Sequence, residues 1–135
     1  MDDELAAGLF RKLLQVAPDL QHLPLHATAS APGFLALELA VLERESNYAT
    51  ISLGHYWRGQ GQVIATPEMT VLVFFDTQLA EAVTYLDAFR YDIAYPDPDQ
   101  PPEEVTHMAL NGFLDKWLDV MIMQGRVLRS FAEVA

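Results

Sequence analysis

Hydrophobic and polar positions recur at two different periods along the chain, and the change of period separates its parts. From Pro101 to Gly125, PPEEVTHMALNGFLDKWLDVMIMQG, the residues Leu110, Phe113, Leu114, Trp117, Leu118 and Met121 fall on one side of a helix, with Asn111, Asp115, Lys116 and Asp119 opposite. This spacing predicts a long helix with a broad apolar stripe. Pro101 and Pro102 open it where a missing N–H does no harm. Glu103 and Glu104 place negative charge in the first turn, and Gly125 ends the helix as a left-handed cap.

At the other end, Asp2 or Asp3 caps a first helix in which Leu5, Leu9, Phe10 and Leu13 share a face and which Pro18 ends at or before Ala17. Asp19 to Leu23 adds a turn, and LPLHATASAPG then reads as an extended connection. From Phe34 the period becomes two. Leu35, Leu37, Leu39 and Val41 alternate with Ala36, Glu38 and Ala40, which predicts a strand with one heavy face. Glu43 to Asn47 turns the chain into a second strand, Tyr48 to Trp57, making a hairpin. Arg58-Gly-Gln-Gly-Gln breaks the pattern, and Pro67 introduces MTVLVFFD, which is apolar on both faces and belongs inside a sheet. Residues 77 to 89, TQLAEAVTYLDAF, fit a helical face as well as a strand, and periodicity leaves the two open. FRYDIAY alternates as a strand, and YPDPDQPP is a stiff acidic turn into the long helix. The expected fold is α+β over a single domain, residues 1–135. It has an N-terminal helix, an antiparallel sheet of four to five strands between Phe34 and Tyr95, and a long C-terminal helix packed on one sheet face.

Composition narrows the classes of function. At 135 residues, 51% hydrophobic and 20% charged, the chain has material for one real core, and no apolar run approaches a membrane span. The acidic start, MDDEL, lacks the basic character of an export signal, and the chain has no cysteine, so a cytoplasmic location is expected and thiol chemistry is excluded. Nineteen acids against eight bases give a net charge of −11, which repels phosphate backbones and anionic membranes. Neither nucleic acid nor membrane is an expected partner; a basic protein surface is. The apolar content of the outer strands also predicts a homodimer, by edge pairing or by covering the open sheet face, with the net charge opposing it.

Catalytic motifs are missing. His22 and His26 are four apart but Pro24 lies between them, and His55 and His107 stand alone, so no metal pair is patterned. No GxSxG elbow surrounds Ser30, Ser46, Ser52 or Ser130. Gly59 and Gly61 in WRGQGQV resemble part of a phosphate loop, yet a strand connection explains them more simply. Asp115 and Asp119, four apart, mark either a cation or a solvated face. No catalytic residue, metal or cofactor is therefore assigned. Two surfaces remain as candidates. His55, Tyr56, Trp57 and Tyr91 could line a ligand pocket between sheet and helix. Asp97, Asp99, Glu103 and Glu104, with Met108 and Met123 on the polar side of the long helix, could meet a basic partner. A non-catalytic interaction or adaptor domain is the leading expectation, with a small-ligand binder or hydrolase as the alternative.

One ordered combination goes further: Pro67-x-Met69-Thr70-Val71, Asp76, Ala80-Glu81, Arg90-Tyr91, Tyr95-Pro96, and Asn111-x-Phe113-Leu114-x-x-Trp117-Leu118 ending at Gly125. It resembles the DUF1249 family of small bacterial proteins, from the second strand to Gly125 and more loosely before it; LFRKLLQVAPDL departs from the family's usual Leu-Leu-Pro ending. The resemblance implies a bacterial cytoplasmic protein and favours strand over helix near Ala80 to Thr84. It implies no reaction and no catalytic residue. Family members encoded beside nucleotide-hydrolysing enzymes make a nucleotide-related ligand one version of the alternative.

Overall fold

The computed structural model describes residues 2–130. Helix α1 (Asp3–Val16) is capped by Asp2, whose carboxylate accepts the Glu4 N–H, and a single 3-10 turn (Leu20–His22) follows it. The strands are β1 (His26–Ala29), β2 (Leu37–Arg44), β3 (Tyr48–Gly59), β4 (Gln62–Phe74), β5 (Leu79–Leu86) and β6 (Tyr91–Ile93), then helix α2 (Glu104–Met123) and a two-residue β7 (Arg129–Ser130). All pairings are antiparallel, in the order β6-β5-β4-β3-β2-β1-β7.

The α+β class and the order helix, sheet, helix are as expected, while the strand count is higher. Five strands lie between Phe34 and Tyr95, but His26–Ala29, read as a connection, pairs with Leu37–Ala40, and Arg129–Ser130 pairs with Ala27–Thr28. Strand β1 carries only alanine on its buried side, too little apolar weight to announce itself. Within residues 77 to 89, Leu79–Leu86 form strand β5 and no helix. The pattern break at Arg58 proves to be a tight hairpin: β3 runs to Gly59 and β4 starts at Gln62, joined through Gln60 and Gly61, both at positive φ, as a two-residue type I′ turn requires. Pro67 therefore sits within β4, next to a register shift opposite Gly54 and Tyr56, where a missing N–H is tolerated.

One core joins the sheet to both helices. Leu9 and Leu13 of α1 and Leu110, Leu114, Leu118 and Met121 of α2 pack with Leu37, Leu39, Ile51, Leu53, Met69, Val71 and Val73. The alternate sheet residues, including Thr50, Thr70, Leu72 and Phe74, are half-buried on the face away from the helices. Two positions on α2 differ from the expected stripe. Phe113 is 39% exposed at its margin, and Asn111, placed on the polar side by periodicity, is completely buried. The prolines also lie outside the helix, whose N-cap is Glu103; its carboxylate accepts the N–H groups of Val105 (3.3 Å) and Thr106 (2.7 Å).

Candidate functional site

Helix α2 ends in a Schellman turn. Gly125, at φ +69°, donates to Ile122 O (3.0 Å), and Arg126 N–H reaches back to Met121 O (3.1 Å). The residue after the glycine in this motif is ordinarily apolar and packs on the helix. Here it is arginine, and it is only 2% exposed. The guanidinium donates from Nη1 to the Ala29 carbonyl at the end of β1 (2.9 Å) and from Nε to Gln124 Oε1 (2.6 Å). Burial holds its pKa below the usual arginine value.

Strand β3 brings His55 to the same place. Its Nδ1 lies 3.1 Å from the Ala36 carbonyl, which can only accept, so Nδ1 carries the proton. Its ring stands edge-on to Trp117 of α2, with centroids 5.6 Å apart. Burial lowers the His55 pKa, the Ala36 carbonyl opposes that shift, and the Arg126 charge adds to it. His55, Trp117 and Arg126 line a cavity of about 310 Å³ together with Phe34 and Leu35 from the loop before β2, Thr66 of β4, Val120 of α2 and Gln124, the C-cap of that helix.

Of the four residues expected to line a pocket, the structure places only His55 between sheet and helix. Tyr56 lies on the open sheet face. Its ring covers Gly54 so closely that a Cβ there would sit 2.6 Å from the hydroxyl. Arg58 stacks over that ring and forks onto Glu38 (2.8 and 2.9 Å). Burial first, then Glu68, pushes the Tyr56 phenol up to about 12. Trp57 lies over Gly59, and Tyr91 is exposed on β6, so neither meets His55 in this cavity. Asp97, Asp99, Glu103 and Glu104 are all exposed around the entry to α2, although Asp97 accepts the Asp99 N–H and Glu103 is occupied as the cap. The Asp115 and Asp119 pair does mark a cation, and it is the chain's own: Lys12 of α1 bonds to both, at 2.7 and 2.9 Å.

A second polar cluster joins α2 to the sheet. His107 Nε2 donates to Glu81 Oε2 (2.6 Å), Tyr95 hydroxyl donates to the same carboxylate (3.1 Å), and the Tyr95 and His107 rings meet edge to face. Its members bond mainly to one another, so the cluster reads as a clamp. Among the described residues, no group of three or more His, Asp or Glu side chains is placed to hold a metal ion. No helix there is long and apolar enough to cross a membrane.

Arg126, Gln124, Thr66 and Phe34 were not anticipated as site residues. The available signal was an arginine directly after the helix-ending glycine, followed by Val127 and Leu128, where an apolar residue would normally pack. No curated protein and no solved structure shows a significant match to the chain. The family model described as "Protein of unknown function (DUF1249)" matches residues 12–127, a span that includes every residue lining the cavity, and the chain belongs to that family.

Proposed function

We propose that this chain binds a small ligand in the cavity at the C-terminal end of α2. The observation that carries this reading is convergence. Four separate segments bring the aromatic surfaces of Phe34 and Trp117 together with the polar groups of His55, Thr66, Gln124 and Arg126 around one space of about 310 Å³. Apolar walls with a few converging polar groups are the usual make-up of a metabolite site, and this volume sits at its lower end. The reading is of binding: Arg126, Gln124 and Thr66 offer charge and hydrogen bonds, and His55, with Nδ1 held by Ala36, offers its other ring nitrogen as an acceptor. A thermal-shift screen over metabolites tests it. A ligand at 100 times its dissociation constant adds about 2.7 kcal/mol of stability. Val120→Trp, which fills the half-open rim, should abolish the gain; flat curves across the screen would remove the proposal.

A second reading, protein interaction in a bacterial cytoplasm, is favoured by the entry to α2. Val105 and Met108 are 74% and 61% exposed among Asp97, Asp99, Glu103 and Glu104. An apolar centre ringed by carboxylates suits a basic partner whose association weakens with salt. Cross-linking at Met108 in cells, compared with a Met108→Glu variant, tests this surface without disturbing the cavity.

A further inference from the structure

Resting on the ligand-binding reading, we infer that the bound group is an oxyanion, a carboxylate or a phosphate, received by the guanidinium of Arg126. A guanidinium has five N–H donors, and the protein engages two of them, one on Nε and one on Nη1. Both donors of Nη2 have no acceptor among the described residues. Yet no described side-chain nitrogen or oxygen that is sealed from solvent lacks a partner. The open space that Arg126 lines is the cavity, and among the described residues no acceptor competes for Nη2 there. Its planar fork matches the geometry of two oxygens on one anionic group.

The charge balance points the same way. Lys12, Arg58 and Arg90 are each paired with a carboxylate, at distances of 2.6 to 2.8 Å, and the other lysines and arginines besides Arg126 are exposed to solvent. Arg126 is more deeply buried than any of them and has no carboxylate within ion-pairing distance among the described residues, in a chain with nineteen acids. A desolvated cation is costly without a counter-charge. The Gln124 side-chain oxygen and the Ala29 carbonyl supply only neutral acceptors, which accounts for Nε and Nη1 but leaves Nη2 without a role. His55 refines the ligand. With its Nδ1 proton given to Ala36, its other ring nitrogen is an acceptor, which suits a hydroxyl beside the anionic group, as in a hydroxy acid or a sugar phosphate.

The test is an NMR titration of the full chain with inorganic phosphate and with acetate, against sodium chloride at matched ionic strength. The Arg126 Nε–H and Trp117 indole resonances should move saturably at roughly 1–10 mM of at least one oxyanion, the strength expected of so small a probe, and stay still in chloride. Arg126→Gln should weaken the effect at least about tenfold, the loss expected when one charge-assisted contact goes. Val120→Trp should do the same by blocking the space, and it decides the matter if Arg126→Gln fails to fold. No movement at about 50 mM of either ion, far above that range, or a response that survives Val120→Trp, would overturn the inference. Running the metabolite screen on Arg126→Lys, which keeps the charge and loses the fork, separates the two claims. A neutral ligand that stabilises both forms equally leaves a binding site but rejects the oxyanion, whereas no ligand for either form rejects both.

Discussion

The carboxamide of Asn111 pairs with Ala82 as a neighbouring strand would: Oδ1 accepts the Ala82 N–H at 2.7 Å, and Nδ2 donates to the Ala82 carbonyl at 3.3 Å. Strand β6 reaches only Thr84 to Leu86, so without this side chain the middle of β5 would bury two bare backbone groups. Nδ2 also bonds to His107 O (2.8 Å), which ties the carboxamide to its own helix. Asn111→Leu should therefore cost about 2–4 kcal/mol in urea unfolding despite adding apolar surface, since an unsatisfied buried group costs about 1–3 kcal/mol. An unchanged midpoint would mean that water substitutes for the amide.

Trp117 is mid-stripe on α2, buried, and in ring contact with both His55 and Phe113. Trp117→Ala should cost roughly 3–5 kcal/mol, the range for removing a large core aromatic. A loss under about 1 kcal/mol, well below that range, would place its energetic role in ligand binding alone.

Lys12 joins α1 to α2 through Asp115 and Asp119, and the hydrogen bonds to those two carboxylates, Asp115 first, raise its pKa. The groups are partly exposed, so Lys12→Met should cost only about 1 kcal/mol at low salt and less at high salt. Asp115→Asn in the Lys12→Met background should then be neutral or stabilising, because it relieves the repulsion that lysine had screened; a double-mutant cycle reads this directly.

Acid sensitivity should track the cap of α2. Hydrogen bonds from Thr106, then the Val105 N–H, hold the Glu103 pKa below its ordinary 4.5. A depressed carboxylate contributes stability above its unfolded value and loses it as pH falls through the folded one. The melting temperature should drop between about pH 5 and pH 3, and Glu103→Gln should flatten that slope while lowering stability at neutral pH.

On the open sheet face, Gly54→Ala would push the Tyr56 ring outwards, since a Cβ there meets the far end of that side chain. The stability cost should be small, about 1 kcal/mol. The clearer effect is on titration: the phenol, now at about 12 through burial, should move towards 10. Ultraviolet titration of the five tyrosines should show one leaving the high-pH group.

Where periodicity reported on packing, the fold was legible. Leu37, Leu39 and Val41, then Ala49, Ile51 and Leu53, are buried rows that alternation predicts, except that Leu35, expected in the first row, lies before β2 and is exposed; Leu110, Leu114, Trp117, Leu118 and Met121 are the buried stripe. It was not legible where a polar side chain serves the backbone. Asn111 is buried because β5 needs a partner there, and Arg126 because a turn folds it under the helix end, neither of which a hydropathy pattern encodes. His55 could be singled out as an aromatic near a strand, but its cavity is assembled from segments distant in sequence. Tyr56 and Trp57, adjacent to it, were grouped with it by proximity, whereas alternation sends Tyr56 to the opposite sheet face and the close approach of Trp57 to Gly59 keeps that ring at the hairpin end.

The ends of the sheet carry one more consequence. At one side the outermost strand in the described residues is the two-residue β7, held in line by Leu128 N–H on Val16 O (2.7 Å); at the other it is the three-residue β6, with Asn111 occupying the stretch of β5 that β6 leaves bare. Short outer strands offer a passing chain little to template on, which guards against fibril-like stacking in a sequence that is half hydrophobic. Cutting the chain before Leu128 would strip β1 of its cover, and the resulting protein should aggregate as it is made rather than merely melt at a lower temperature.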